Sequence, residues 1–292
     1  MTPESISLLF AFIIGAAVGS FLNVVIHRVP RGQSIVSPPS SCPSCKTGIR
    51  WYHNIPIVSY LALRGRCANC NAPFSPRYLA VEVITGACAL ACVSVFGLTP
   101  FAARAFLLVA ILIALTYIDL EHWLLPHVIT WPAIVLGLAT SWVEYAPGLQ
   151  DAAIGAAAGF AGFWALRILA SLIFRKEALG GGDLWLLALI GAFLGWQALL
   201  PVVFLASVQG SAVGIFLLLL TRVKGKPAGD EAPGSGSDEP AEGSPKVDED
   251  EEEWKPPPNA VPFGPFLSLA ALQMLFFGDA VMDFVARLMG MP

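Results

Sequence analysis

Two sets of side chains in this sequence have types and spacings suited to chemistry. The first is a pair of C-x-x-C motifs, Cys42-Pro43-Ser44-Cys45 and Cys67-Ala68-Asn69-Cys70, with 21 residues between them. Each tight knuckle presents two thiolates, and two knuckles complete a tetrahedron around zinc. The intervening loop, with Trp51, Tyr52 and Pro56, is too small to fold alone, so a bound metal supplies its missing core. Two disulfides or a redox C-x-x-C are the competing readings. With Cys at all four positions no place is left for water, so Cys42, Cys45, Cys67 and Cys70 make a structural zinc site. Cys88 and Cys92 lie four apart in an apolar run and pack as small hydrophobic side chains.

The second set is acidic. Asp119 closes the run Leu115-Thr116-Tyr117-Ile118-Asp119, and Asp183 follows Gly180-Gly181-Gly182. A charge within a lipid-facing helix costs at least ~2.5–3.5 kcal/mol, so such acids need a reason. Two carboxylates at one site hold a single proton between them. The ionised one can take a proton from an attacking water while the protonated one hydrogen-bonds the scissile carbonyl, as in aspartic peptide hydrolysis. The glycines let a substrate backbone approach Asp183. The plainer readings are an N-cap for Asp183 and a headgroup-level acid for Asp119. Glu121, His122 and His127 are further polar candidates, and Asp119, His122 and His127 could hold a metal, although no H-E-x-x-H occurs. Neither G-x-S-x-G nor a matched Ser–His pair supports serine chemistry. A transporter with both acids lining an ion path is the reading from another class.

The elements that must position these groups are membrane spans. Of 292 residues, 56% are hydrophobic and only 13% charged, with mean hydropathy +0.69, too apolar for a soluble domain. The net charge of −4 hides segregation, because eleven of the 21 acids lie between Asp230 and Glu253. The few basic residues sit between apolar runs, which argues against nucleic acid. Runs of about 20 apolar residues fall at roughly 6–26, 78–97, 101–118, 128–146, 152–174, 184–200, 201–221 and 262–289, with Pro201 taken as the break between the sixth and seventh. The expected fold is an all-α polytopic membrane protein of about eight transmembrane helices with a small cysteine-rich cytoplasmic module. The loop from His27 to Arg77 holds seven Lys and Arg and no acid. Placing it in the cytoplasm puts the N-terminus outside and 14 of the 17 Lys and Arg inside. Arg104 and Arg287 are left near outer ends, where they can snorkel, and Arg167 faces protein within a span. The first run has no basic leader or cleavage motif and reads as a retained span. Residues 225–260 are rich in Gly, Pro, Ser and acid and read as a disordered linker. The expected organisation is a first span over 1–26, a zinc module over 27–77, a peptidase core over 78–221, the linker over 222–261 and a last span over 262–292.

Several motifs occur in an order that resembles the type IV prepilin peptidases. They are Gly19-Ser20-Phe21-Leu22-Asn23 through His27-Arg28-Val29-Pro30, both C-x-x-C pairs, Asn54-Ile55-Pro56, Ser59-Tyr60-Leu61, Ser75-Pro76-Arg77-Tyr78 and Glu82. They continue with Ile118-Asp119-Leu120, Leu124-Leu125-Pro126, Gly180-Gly181-Gly182-Asp183 as G-x-G-D, and Pro262-Phe263-Gly264-Pro265-Phe266-Leu267. The resemblance implies that Asp119 and Asp183 are the catalytic pair and that the four cysteines bind zinc. It implies a bacterial inner-membrane enzyme that cleaves type IV prepilins or type II secretion pseudopilins after the Gly that ends a short basic leader. It further implies N-methylation of the new terminus from S-adenosylmethionine, an activity with no independent signal in the sequence. Gly65 is a family-based candidate for methyl transfer and, by local chemistry, a turn glycine. The sequence departs from the family where His127 replaces a usual Asp, where Trp185 replaces a common Lys, and in its longer acidic insert.

Overall fold

A computed structural model describes residues 2–174, 180–223 and 261–288; most of the expected acidic linker lies outside the described residues. The helices are α1 (Pro3–Arg28), α2 (Val58–Ala62), α3 (Arg77–Phe96), α4 (Pro100–His122), α5 (His127–Ala139), α6 (Leu149–Phe174), α7 (Gly181–Leu194), α8 (Leu199–Val223) and α9 (Gly264–Leu288). No strand accompanies them among the described residues, only two isolated bridges in the cysteine segment. Six helices, α1, α3, α4, α6, α8 and α9, are long and apolar enough to cross a bilayer. The chain is a multi-pass membrane protein.

Local sequence explains the helix ends. Thr2 and Thr99 cap α1 and α4, accepting from the N–H groups of Ser5 and Ala102, and each is followed by a proline in the first turn, where no donor is needed. α5 and α7 occupy the fourth and sixth apolar runs but are shorter than expected, with 13 and 14 residues. At 1.5 Å per residue that is about 20 Å, less than the ~30 Å hydrocarbon core. The break expected at Pro201 falls at Gly195, whose φ of +81° leaves the helix. Pro201 instead lies in the first turn of α8, where its missing N–H costs nothing.

α4 is the central post. Leu108, Leu112 and Leu115 pack with Leu186, Leu189, Ile190 and Phe193 of α7 and with Leu267, Ala270 and Ala271 of α9. Its other face, with Val109, Ile113 and Ile118, packs with Leu22 and Ile26 of α1 and Val81 of α3. Cys92 is buried in this second cluster and Cys88 packs against it, as small apolar residues do. In lipid, where apolar surface alone gives little reason to associate, close backbone approach through small residues does the work. α1 meets α3 at Gly15 and Gly19, where an added Cβ would lie 2.5 Å from Ala89 Cβ and 2.8 Å from Glu82 Cα. α6 meets α7 with Gly155 and Gly191 backbone to backbone, and a Cβ on Gly159 would lie 2.6 Å from the Leu187 carbonyl oxygen.

The α6–α7 contact gives a stability prediction. Gly191→Ala drives a methyl group into the Gly155 carbonyl and is expected to cost about 1–3 kcal/mol. Gly162→Ala, which faces open space, is expected to stay within about 0.5 kcal/mol. Thermal unfolding of the two variants in detergent checks the contrast.

Candidate active site

Asp119 occupies the last turn of α4. The helix stops four residues later, where Trp123 takes a left-handed conformation (φ 53°) and its N–H returns to the Asp119 carbonyl. Leu125, in the turn into α5, wedges under α7: an added Cβ on Gly182 would lie 2.8 Å from Leu125 Cβ, so this glycine is needed for close approach. Gly182 precedes Asp183 in the first turn of α7. The same leucine borders Gly264, the first residue of α9. The ends of α4, α7 and α9 therefore converge on one spot, and both acids lie there. Asp119 is 5% and Asp183 8% exposed. The Asp119 carboxylate lies against Gly264, where any side chain would collide with it. Its Oδ2 has no hydrogen-bond partner among the described residues. The Asp183 carboxylate turns back toward Gly180, 3.5 Å from where a Cβ would be.

The remaining acid and histidine candidates do not join this spot as a metal set. Among the described residues the four cysteines form the convergent group of His, Cys, Asp and Glu donors. His127 instead lies in an aromatic cluster, 5.9 Å from Trp131 and 5.7 Å from Trp185, ring to ring, with Phe160 4.7 Å from Trp185. The two departures from the family pattern thus touch each other. His122 is partly buried and its Nε2 has no hydrogen-bond partner among the described residues. Glu121 is engaged by Arg77 in an ion pair.

The cysteine segment is anchored to this same end of the bundle. Arg77 opens α3 directly after the segment and joins Glu121, two residues beyond Asp119. Buried Glu82 of α3 accepts a 2.8 Å hydrogen bond from the Ile57 N–H. Ile57 has φ +64°, a strained conformation for a β-branched residue, which the Glu82 carboxylate helps to hold. Asn23 of α1 donates to the Tyr78 carbonyl at 3.0 Å. The sequence quotes Asn23, Arg77, Glu82 and Gly264 within motifs without assigning them a role. Their signal was a polar group, or a glycine, at the end of an apolar run.

The two knuckles are built alike. The Cys42 N–H donates to the Thr47 carbonyl and the Cys67 N–H to that of Ala72. Lys46 and Asn71, each following the second cysteine, both have φ 58°. All four sulfurs lie within 4.8 Å of one another, and Cys42 Sγ is 3.8 Å from Cys70 Sγ. For Zn–S bonds of about 2.3 Å a tetrahedron has edges near 3.8 Å, so the donor set fits zinc. Hydrogen bonds from Thr47, then Asn69, pull the Cys45 thiol down to about 6, and backbone N–H groups of Asn69 and Cys70 lower Cys67. The Ala72 N–H favours a Cys70 thiolate, but lost solvation and the neighbouring thiols hold it up at about 11. Gly65 (φ +66°) turns the chain over the Tyr60 ring, 2.8 Å from the Cβ position, and leaves no room for a side chain.

Arg104 corrects an expectation. It does not snorkel but is buried, 4% exposed, where its guanidinium meets the carbonyls that end α7. Those carbonyls satisfy the charge inside the protein, so it has no need of the outer surface. Arg167 reaches the glycine run, its Nη1 3.5 Å from the Cβ position of Gly181.

Residues 13–96 match the bacterial peptidase A24 N-terminal domain, and residues 106–215 match the type IV leader peptidase family. The chain is similar to a protein of Myxococcus xanthus named prepilin leader peptidase/N-methyltransferase, 42% identical over 92% of this chain and 90% of that one. Proteins of the same name from Aeromonas hydrophila (36% identical, 92% and 90% covered) and Burkholderia pseudomallei (35%, 94% and 87%) are also similar. No solved structure matches.

The sulfur geometry predicts metal content. Purified protein is expected to carry about one zinc per chain, lost together with protection of the segment from proteolysis in the Cys42→Ser, Cys45→Ser variant. Elemental analysis and limited proteolysis check this, and metal-free protein with an intact segment would overturn it.

Proposed function

The chain belongs to the type IV leader peptidase family, and on that premise we propose that it removes the leader of prepilin-like proteins with Asp119 and Asp183 and methylates the trimmed end. Membership and the relatives' names support a membrane peptidase with methyltransferase activity. The observation that carries the residue assignment is the convergence of two buried carboxylates at the ends of α4 and α7.

Two such carboxylates in a poorly solvated site share one proton, because ionising both there is too costly. The ionised member takes a proton from water as the water oxygen bonds to the scissile carbonyl carbon. Its protonated partner donates to the carbonyl oxygen, which gains charge. Collapse of the resulting diol breaks the C–N bond, and the departing amine takes a proton from the pair. Gly264, without a side chain, leaves the room that the Asp119 carboxylate occupies. The exposed Gly181 beside Asp183 leaves room for an extended substrate backbone.

In the topology favoured by the basic loop, the acid end and the cysteine module face the cytoplasm of a bacterial inner membrane and the N-terminus is periplasmic. The module from 27 to 77 and the core from 78 to 221 then meet the substrate where its leader emerges from lipid. The substrates are prepilins or type II secretion pseudopilins. S-adenosylmethionine supplies the methyl group to the new terminal amine. Zinc holds the cysteine module together and takes no part in hydrolysis, since four thiolates leave no open position.

Asp119→Asn and Asp183→Asn are each expected to abolish leader removal from a co-expressed pilin precursor, with insertion unchanged and methylation of a pre-trimmed pilin retained. Mass spectrometry of the pilin N-terminus reads both activities at once. Normal cleavage by either variant would refute the pair. Gly264→Ala, whose methyl group would collide with the Asp119 carboxylate, is expected to slow cleavage by about 10²-fold and to spare methylation.

A further inference from the structure

Arg104 has no part in the hydrolysis or in the cysteine module, yet it is among the most deeply buried charged residues described. It stands in the second turn of α4, at the opposite end of that helix from Asp119. Nη1 donates to the Phe193 carbonyl at 2.9 Å, Nη2 to the Ala192 carbonyl at 3.4 Å, and Nε to Thr140 Oγ1 at 3.1 Å. The guanidinium carbon also lies 4.9 Å from the centre of the Phe193 ring.

The carbonyls of Ala192 and Phe193 belong to the last turn of α7 and have no donor within their own helix. A cation suits that end of the helix dipole. Capping alone is a weak reason for a buried charge, because backbone can close a helix end unaided, as the Gly195 N–H does for the Gly191 carbonyl here. What Arg104 adds is a directional tie between α4 and α7. The apolar cluster that Leu108, Leu112 and Leu115 share with Leu186, Leu189 and Ile190 is aliphatic, and hydrophobic association is non-directional.

The spacing is consistent with a tie that sets height. Asp119 is 15 residues from Arg104 along α4, about 22 Å, and Asp183 is 10 residues from Phe193 along α7, about 15 Å. The helices run antiparallel, with Asp119 and Asp183 at one end and Arg104 and Phe193 at the other. The two lengths differ by about 7 Å, little more than one helical turn.

We infer that Arg104 is a positioning residue: from the far end of the bundle it fixes the axial register of α7 against α4, and so the level at which Asp183 meets Asp119. This rests on the reading of those two acids as the reacting pair. A planar fork serving two carbonyls and a hydroxyl together is a task for arginine that lysine cannot fully replace.

The test reads register with and without substrate. In an Asp119→Cys, Asp183→Cys protein, a short bifunctional thiol reagent links the two positions, and peptide mass spectrometry measures the linking rate. Adding Arg104→Met is expected to slow that linking about fivefold or more, and in the otherwise native protein to lower kcat for leader removal about tenfold or more with KM within about twofold. Methylation of a pre-trimmed pilin is expected to be unchanged, and Arg104→Lys to fall between arginine and methionine in both readings. Wild-type linking and kcat in Arg104→Met would overturn the inference. So would loss of methylation and insertion in step with cleavage, which marks a general folding role. Arg104-dependent linking in the double-cysteine protein, together with no cleavage of a pilin precursor by the native protein, would refute the proposed function and leave the register role standing, since linking needs no substrate.

Discussion

Burying two carboxylates at the end of a membrane bundle is the constraint from which the rest of this architecture follows. Lipid offers an acid neither water nor counter-charge, so the protein must supply polar groups, and helix ends are where unspent backbone polarity is found. Asp119 lies at the end of α4, Asp183 at the start of α7, and Gly264, the first residue of α9, lies against Asp119. Three termini meeting end on provide what no helix midsection could.

Depth follows from length. α7 is too short to span the hydrocarbon core, so its position along the membrane normal is a free choice that the protein has to settle. Its last carbonyls are tied to the second turn of α4 through Arg104, and its first turn lies at the Asp119 end of that helix. The two acids are thereby buried short of the last residues of α4. With the two acids as the hydrolytic pair proposed above, the peptide bond they reach comes from a segment lying at the edge of the lipid, such as the junction between a polar leader and an apolar helix. Recess also explains the small residues nearby: Gly182 and Gly264 remove the side chains that would otherwise fill the space around Leu125 and Asp119.

The eight apolar runs were readable because hydropathy reports length and apolarity directly, and each run contains one helix. The paired cysteines were readable because knuckle spacing is local. The shortness of α5 and α7 was not, since apolar residues continue past Ala139 into turns and past Gly195 into a 3-10 turn and the start of α8, which hydropathy does not separate from one continuous helix. Gly195 ended α7 through its backbone conformation, which composition does not disclose, whereas Pro201 carried an obvious signal and proved harmless in a first turn. Arg104 was legible as a charge out of place, but its partners are carbonyls 88 and 89 residues away, and main-chain acceptors leave no mark on a sequence. The nearness of His127 to Trp185 was equally hidden, because the contact depends on which faces of α5 and α7 turn toward each other.

Cysteine module and acid site are one mechanical unit for reasons that charge alone makes clear. The segment from His27 to Arg77 contains no acid, so every carboxylate that restrains it has to come from the bundle. Two do: Glu82 of α3 holds the strained Ile57, and Glu121 of α4 holds Arg77. The second is two residues from Asp119 on the same final turn, so a displacement of the start of α3 is felt where the buried acid sits. A basic module gripped by acids of the membrane helices keeps its place without burying much apolar surface. Loosening that grip would change the surroundings of Asp119 before it changed the fold of either part.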